Sequence, residues 1–247
     1  MNCSCVARAG VAKPGLRRQT QDLFLQRFGG SNPFPCTFLS PSGITRKQKK
    51  IFRDRNNTSK RVIMKIKYPE IGVCGLSCRL CPMYNTEAES RCLGCKSITR
   101  MAVGCPFITC AVKKKGIEFC WDCTEKKTCE KWKKHREAGK MSDSFKCYQQ
   151  LEEDISFIQK NGISEFEKTQ KNREHLLKEM LRNFNEGRSK SYYCIAATVL
   201  EIEELKGALT RAKKESDGLD VKRRSKVLHS ILDSIAGKKS YCLKLRK

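Results

Sequence analysis

Apolar residues recur at every third or fourth position along the C-terminal part of the chain, with polar residues between them. Four stretches carry such a one-sided stripe, and its period is that of an α-helix. The stripes begin at Tyr148, Phe166, Tyr192 and Leu228. The first helix is predicted to lie between Asp143 and Asn161, and the third between about Ser191 and Lys214. Because each helix has a single apolar face, the helices must bury these faces against one another or against a neighbouring module.

Turn and capping residues separate the stripes. Gly162 is predicted to end the first helix, since glycine accepts the left-handed backbone conformation of a C-cap. Ser164 and Glu167 have the spacing of a capping box that opens the second helix. Asp220 follows a turn and is predicted to cap the fourth helix. A bundle of about four helices is the simplest way to bury all four stripes.

The part of the chain before these helices is rich in cysteine. Ten of the 16 cysteines lie in the 56 residues from Cys74 to Cys129. This density divides the chain into a leader (1–63), a Cys-rich module (64–140) and a helical domain (141–247). The sequence therefore predicts a mainly α protein, in which a small irregular Cys-rich zinc module precedes the helical bundle.

The spacing of the cysteines predicts two zinc ions. Two cysteines with two residues between them form a knuckle that turns both sulfurs toward one ion. Four thiolates complete a tetrahedral site. The first predicted set of ligands is Cys78, Cys81, Cys92 and Cys95. The second predicted set is Cys110, Cys120, Cys123 and Cys129. Cys74 and Cys105 are possible substitutes, and the pairs could also exchange partners between the two sites.

An iron–sulfur redox protein is the main alternative. Cys74, Cys78 and Cys81 have the spacing that radical enzymes use to hold a [4Fe–4S] cluster. The barrel of those enzymes needs about 200 residues of alternating strand and helix, which are not predicted here. The Cys81-Pro82 and Cys105-Pro106 dipeptides resemble ferredoxin sequences, although the ferredoxin spacing is missing. Reduced core cysteines and thioredoxin-like redox pairs fit less well, because six cysteines form three tight pairs and strand signals are weak.

The cysteine motifs resemble a known family. The residues that carry the resemblance are Cys74-Gly75-Leu76-Ser77-Cys78-Arg79-Leu80-Cys81-Pro82-Met83-Tyr84, Cys92-Leu93-Gly94-Cys95, Cys110, Cys120-Trp121-Asp122-Cys123 and Cys129-Glu130-Lys131. Together they are similar to the prokaryotic cysteine-rich domain-of-unknown-function family 3795, over roughly residues 71–132. The family has no established activity, so the resemblance implies metal binding and no particular reaction.

Composition narrows the class of protein further. No apolar run reaches the 18–20 residues of a membrane span, and a secretory signal is not apparent at the N-terminus. We therefore expect a cytoplasmic protein without a membrane partner, in a reducing compartment where clustered cysteines bind metal. Common catalytic motifs are missing, which leans against an enzyme without deciding the question. His135, His175 and His229 are predicted to be solvated surface residues.

The net charge of +25 raises the question of partners. Lysines are dense around the cysteines, with Phe119, Trp121 and Trp132 between them, and such surfaces can bind phosphates and stack on bases. Thiolate zinc sites are themselves negative, however, and much of the lysine density would offset this charge. We expect another protein as the partner, with nucleic acid as an alternative. Arg188 and Lys190 form a weaker candidate anion site at the start of the third helix.

The leader carries 13 basic and two acidic residues, and this imbalance opposes compaction. We expect a disordered basic segment. Gly29-Gly30-Ser31-Asn32-Pro33 also resembles a transfer-RNA gene read as protein, which suggests a mis-assigned start and translation from Met64.

Overall fold

The computed structural model describes residues 65–103 and 105–247. The predictions for the leader lie outside these residues. The described part is mainly helical, as predicted, and its β-structure is a single isolated bridge between Ile71 and Ser77. Among the described helices, none combines the length and apolar composition that a membrane span requires.

Eight α-helices follow one another along the described chain. Their bounds are α1 Ile98–Val103, α2 Pro106–Ile108, α3 Glu130–Met141, α4 Leu151–Asn161, α5 Ile163–Phe184, α6 Lys190–Val199, α7 Ile202–Glu215 and α8 Val221–Lys238. A π-helical turn, Thr109–Lys114, continues α2, and a 3₁₀ turn, Cys120–Asp122, precedes α3. The Cys-rich module thus consists of turns, short helices and α3, and α4 to α8 follow it.

The bundle core is formed by α5 to α8. Its fully buried side chains include Leu177, Met180, Phe184, Tyr193, Leu205, Leu228 and Leu232. All of these residues except Tyr193 lie in the predicted apolar stripes. Cys147 and Cys194 are buried in the same cluster. Asp220 caps α8 as predicted, because its carboxylate accepts the backbone N–H groups of Lys222 and Arg223.

The helix predicted from Ser191 to Lys214 is in fact two helices. The chain leaves the helical conformation at Leu200, and Glu201 opens α7 through a reciprocal capping box with Glu204. The guanidinium of Arg173 in α5 donates to the carbonyl oxygens of Ala197, at 2.9 Å, and Leu200. These contacts satisfy carbonyls at the end of α6 that have no partner within the helix. The break adds one helix to the predicted four.

Two helix starts were also predicted wrongly. The first predicted helix, α4, begins at Leu151 and not near Asp143, because the Asp143 carboxylate accepts hydrogen bonds from the Tyr148 and Arg246 backbone amides. The next helix begins at Ile163 with Gly162 as its N-cap, without a side-chain cap. The Ser164 hydroxyl lies 3.0 Å from the Tyr68 hydroxyl. In both places the polar side chain expected at the helix start, Asp143 or Ser164, is in contact with a residue distant in the sequence.

The Cys-rich module shares a core with α4 and the start of α5. Buried aromatic and aliphatic side chains from both parts pack together: Ile71, Leu76, Phe119, Trp121, Trp132, Leu151, Ile155, Ile158 and Phe166. The rings of Phe119 and Trp121 are stacked, with centroids 4.3 Å apart. The apolar face of α4 is therefore buried against the module.

Candidate metal centre

Four cysteines surround one small cavity in the module. Cys110, Cys120, Cys123 and Cys129 line a space of about 30 Å³, together with Phe107 and Trp132. These are the four residues of the second predicted zinc set. A site must offer at least about 10–15 Å³ to hold one water molecule, so this cavity can accept a small ion. Their role as ligands stays a prediction.

Local turns bring these cysteines to the cavity. Cys110 lies in the π-helical turn, where the amide of Lys115 donates to its carbonyl oxygen at 3.1 Å. The 3₁₀ turn places Cys120 and Cys123 at its two ends, and the Cys120 amide donates to the Val73 carbonyl at 2.9 Å. Cys129 is the N-cap of α3. Three separate segments therefore meet at one point.

The electrostatic environment of this cavity holds its central thiol protonated. Burial raises the pKa of Cys120 to about 12, and the neighbouring thiols of Cys74 and Cys129 act in the same direction. Lys115, Lys126 and Lys131 line the cavity, and the Lys115 ammonium lies 3.3 Å from Cys123 Sγ. A bound cation would instead lower the pKa of these thiols, because metal coordination deprotonates a thiol.

In the first predicted set, Cys78 is in contact with Cys95. The amide of Cys95 donates to Cys78 Sγ at 3.2 Å, the kind of N–H···S bond that supports a thiolate. Hydrogen bonding from Cys95 lowers the pKa of the Cys78 thiol. Gly94 immediately before Cys95 has φ +104°, which permits the turn that makes this contact.

The remaining cysteines of the module differ in their surroundings. Cys81 is buried at the end of the knuckle that begins at Cys78, and their backbones are joined by a 3.0 Å hydrogen bond. Cys92 is half-buried, and its amide donates to the Met83 carbonyl at 2.9 Å. Burial raises the pKa of Cys74, and the Cys105 and Cys78 thiols add to this effect.

All 13 cysteines of the described chain are free thiols. Within residues 65–103 and 105–247, however, no three His, Cys, Asp or Glu side chains lie close enough together to hold a metal ion as they stand. Coordination at either predicted site would thus require the thiols to move closer together.

Two lysines are buried beside the first set, although sequence reasoning singled out neither. Lys96 Nζ lies 2.8 Å from a Glu118 carboxylate oxygen and 3.8 Å from the centre of the Phe119 ring. Lys146 lies between α3 and α4, beyond the predicted end of the module, and its Nζ donates to the Ser77 carbonyl at 2.5 Å. Each of these lysines is next to a cysteine in the sequence, but nothing in the local sequence indicates that its side chain is buried.

The two residues of the candidate anion site lie in different surroundings. Arg188 is exposed, whereas Lys190 Nζ donates to Thr86 Oγ1 at 2.8 Å. The start of α6 already has a negative group beside it: the Glu186 carboxylate accepts from the Ser189 and Ser225 hydroxyls, both at 2.7 Å. The anion site stays an untested prediction.

Two of the three histidines are not solvated surface residues, contrary to prediction. His135 packs against the rings of Phe107 and Tyr148, with centroids 4.7 and 5.3 Å away. His229 stacks on Tyr192 at 3.9 Å, and its Nε2 lies 2.8 Å from Ser189 Oγ. Burial lowers the pKa of both. His175 is exposed, as predicted.

The aromatic residues among the lysines are also inside the protein. Phe119, Trp121 and Trp132 are each at most 5% exposed and belong to the core shared with α4. Stacking on nucleic-acid bases requires accessible ring faces. The aromatic half of the nucleic-acid interpretation therefore loses its support, whereas the lysines themselves lie largely on the surface.

Comparison with known proteins supports the resemblance seen in the motifs. Residues 70–134 match the family described as Protein of unknown function (DUF3795), and this segment contains all ten clustered cysteines. No curated protein and no solved structure matches the chain.

Proposed function

We propose that the chain is a zinc-binding protein, in which two thiolate-held ions stabilise the Cys-rich module as an interaction module. The observation that carries this proposal is the cavity lined by Cys110, Cys120, Cys123 and Cys129. Four free thiols from three segments line this space, and thiolates are the donors expected of a structural zinc site. A set of reduced core cysteines would have no reason to converge in this way.

Zinc suits these residues better than the hard cations. Thiolates are soft ligands that select zinc, copper(I) or iron–sulfur clusters, whereas Mg²⁺ and Ca²⁺ prefer oxygen. Zinc bound by four thiolates has no open position for substrate, so it would cross-link the module and not act as a catalyst. The module consists largely of turns and short helices, and a metal cross-link would hold such segments together.

The interaction role is supported by the apolar surface of the module. Met83 and Leu93 are 53% and 59% exposed, and the backbone hydrogen bond between Cys92 and Met83 holds their segments together. Aromatic and methionine side chains are enriched in protein interfaces, whereas base stacking is disfavoured here by the buried tryptophans. These observations favour a protein partner.

Elemental analysis of anaerobically purified protein tests the metal proposal. We expect two zinc ions per chain, one in Cys120→Ser and two in Cys242→Ser, which alters an exposed cysteine outside the module. A colourless protein without zinc or iron would overturn metal binding. A brown, oxygen-sensitive protein that contains iron and sulfide would replace zinc by the iron–sulfur alternative.

The interaction proposal needs a separate measurement. Proteins retained by the immobilised zinc-loaded chain are compared with those retained by Leu93→Glu and by Met141→Glu, which changes an exposed residue outside the patch. We expect a partner that binds the wild type and Met141→Glu but not Leu93→Glu. Identical binding by all three would exclude this surface.

A further inference from the structure

A second small cavity lies where the Cys-rich module meets α4, α5 and α6. Its volume is about 20 Å³, and its wall includes four polar residues from separate segments: Ser77, Lys146, Asp154 and Gln170. The same wall contains core side chains such as Leu80 and Ile195, which are 6% and 4% exposed. The cavity is therefore a polar space set among side chains of the hydrophobic core.

Two polar groups of this wall are buried without a hydrogen-bond partner. Ser77 and Gln170 are 6% and 3% exposed, and within the described residues neither Ser77 Oγ nor Gln170 Oε1 has a partner. A buried polar atom bears its full desolvation cost unless a new partner replaces the water that it loses. His135 Nε2 and Ser216 Oγ are also unpartnered, but neither residue lines this cavity. The coincidence of two unpartnered atoms at one cavity indicates that their partner lies inside it.

The ammonium of Lys146 brings further donors to the same cavity. Lys146 is 5% exposed, and its one hydrogen bond within the described residues runs from Nζ to the Ser77 carbonyl oxygen at 2.5 Å. A lysine ammonium has three donors, so two of them remain for another partner. The carboxyl of Asp154 lines the cavity from α4 and offers acceptors. The wall thus provides both donors and acceptors, the combination that suits a water molecule.

The size of the cavity limits what it can hold. A site needs about 10–15 Å³ to accept one water molecule, and that water needs two to four polar partners. The space of about 20 Å³ is sufficient for one water molecule and too small for an organic ligand. Cavities that stay dry have apolar walls, whereas this wall carries four polar residues. Volume and polarity therefore agree on the same occupant.

We propose that this cavity is the binding site of one internal water molecule, which joins the Cys-rich module to the helices. The water accepts a hydrogen bond from the Lys146 ammonium and donates one to Gln170 Oε1. Ser77 Oγ is its third partner. Because Ser77 immediately precedes Cys78, the water helps to hold the first knuckle against α5. This inference does not depend on the proposed zinc binding.

Nuclear Overhauser effects between water and methyl groups test the site in the full wild-type chain. We expect cross-peaks from water to the methyl groups of Leu80 and Ile195, which line the cavity and are shielded from solvent. Leu232 is fully buried in the bundle core and does not line the cavity, so its methyl groups should show none. Cross-peaks at none of the three residues, or equal cross-peaks at all three, would overturn the proposal.

Magnetic relaxation dispersion of the water oxygen nuclei counts the long-lived internal waters. Gln170→Leu removes the acceptor but keeps a side chain of similar size, and we expect one internal water fewer than in the wild type. Gln159→Leu makes the same change at an exposed position of α4 and should leave the number unchanged. An unchanged number in folded Gln170→Leu protein would overturn the proposed site. If circular dichroism shows that Gln170→Leu does not fold, the methyl cross-peaks of the wild type decide the question.

Discussion

Gly75 offers a test of how the cysteine motif is packed against the helices. It follows Cys74 directly and has φ +99°, a conformation that L residues rarely adopt. A Cβ there would lie 3.3 Å from both Ile155 Cγ1 and Leu151 Cδ1, and 3.4 Å from Trp121 Cζ3. Gly75→Ala therefore combines a backbone cost of about 1–2 kcal/mol with an overpacking cost of about 1–3 kcal/mol. We expect a total loss of about 2–5 kcal/mol.

Gly187 provides a matched control. It has the same φ of +99°, but a Cβ there would meet no atom within 4 Å. Gly187→Ala should therefore carry the backbone cost alone, and the difference between the variants isolates the packing term. The assay is thermal unfolding of the metal-loaded protein, in which 1 kcal/mol corresponds to about 2–4 °C for a chain of this size. The Tm values should differ by about 2–12 °C, and equal values would refute the close packing.

Three further predictions concern the ends of the fold, its pH response and metal removal. Arg246→Ala should cost about 2–4 kcal/mol in urea unfolding, because it breaks a pair with the buried Asp143 carboxylate; Arg211→Ala, at an exposed pair, should cost under about 0.5 kcal/mol. Burial raises the pKa of Asp154 to about 7, so its native carboxyl holds a proton that the unfolded chain releases near pH 4. Stability should therefore fall as pH rises from about 4 to 7, and Asp154→Asn should reduce this dependence; an unchanged pH profile would contradict the burial. Removal of metal by a chelator should shift the fluorescence emission of both buried tryptophans to the red, whereas the far-UV circular dichroism signal of α5 to α8 should remain. Simultaneous loss of both signals would contradict the expectation that the metal stabilises the Cys-rich module and not the helical bundle.

The helices were predictable because burial on one face leaves a period in the sequence. Leu151, Ile155 and Ile158 follow that period and are all buried. The break at Leu200 left no such trace, since the apolar period continues through it. It is stabilised by Arg173, which lies on another helix and 27 positions away along the chain. A local pattern contains no information about such a contact.

The candidate site shows the same division between local and tertiary information. The two-residue spacing of Cys120 and Cys123 predicted a knuckle, and the structure forms a tight turn there. Cys110 and Cys129 reach the same cavity because of the π-helical turn and the start of α3. The spacing of the cysteines suggested this grouping but did not predict these two elements. Lys146 was missed because it lies outside the cysteine cluster in sequence. The histidines were misjudged because charged neighbours along the chain conceal aromatic neighbours in space.

The first knuckle is also tied to the helical domain by charge. Arg79 lies between Cys78 and Cys81, and its guanidinium pairs with Glu174 at 2.6 Å and with Glu167 at 3.4 Å, both on α5. The Arg79 side chain is only 13% exposed, so removing either side of this network would leave a poorly solvated charge. A turn held in this way cannot relax independently of α5. If Cys78 and Cys81 hold a metal ion, the free energy of its binding would also stabilise the contact between the module and α5, because Arg79 lies between these two cysteines.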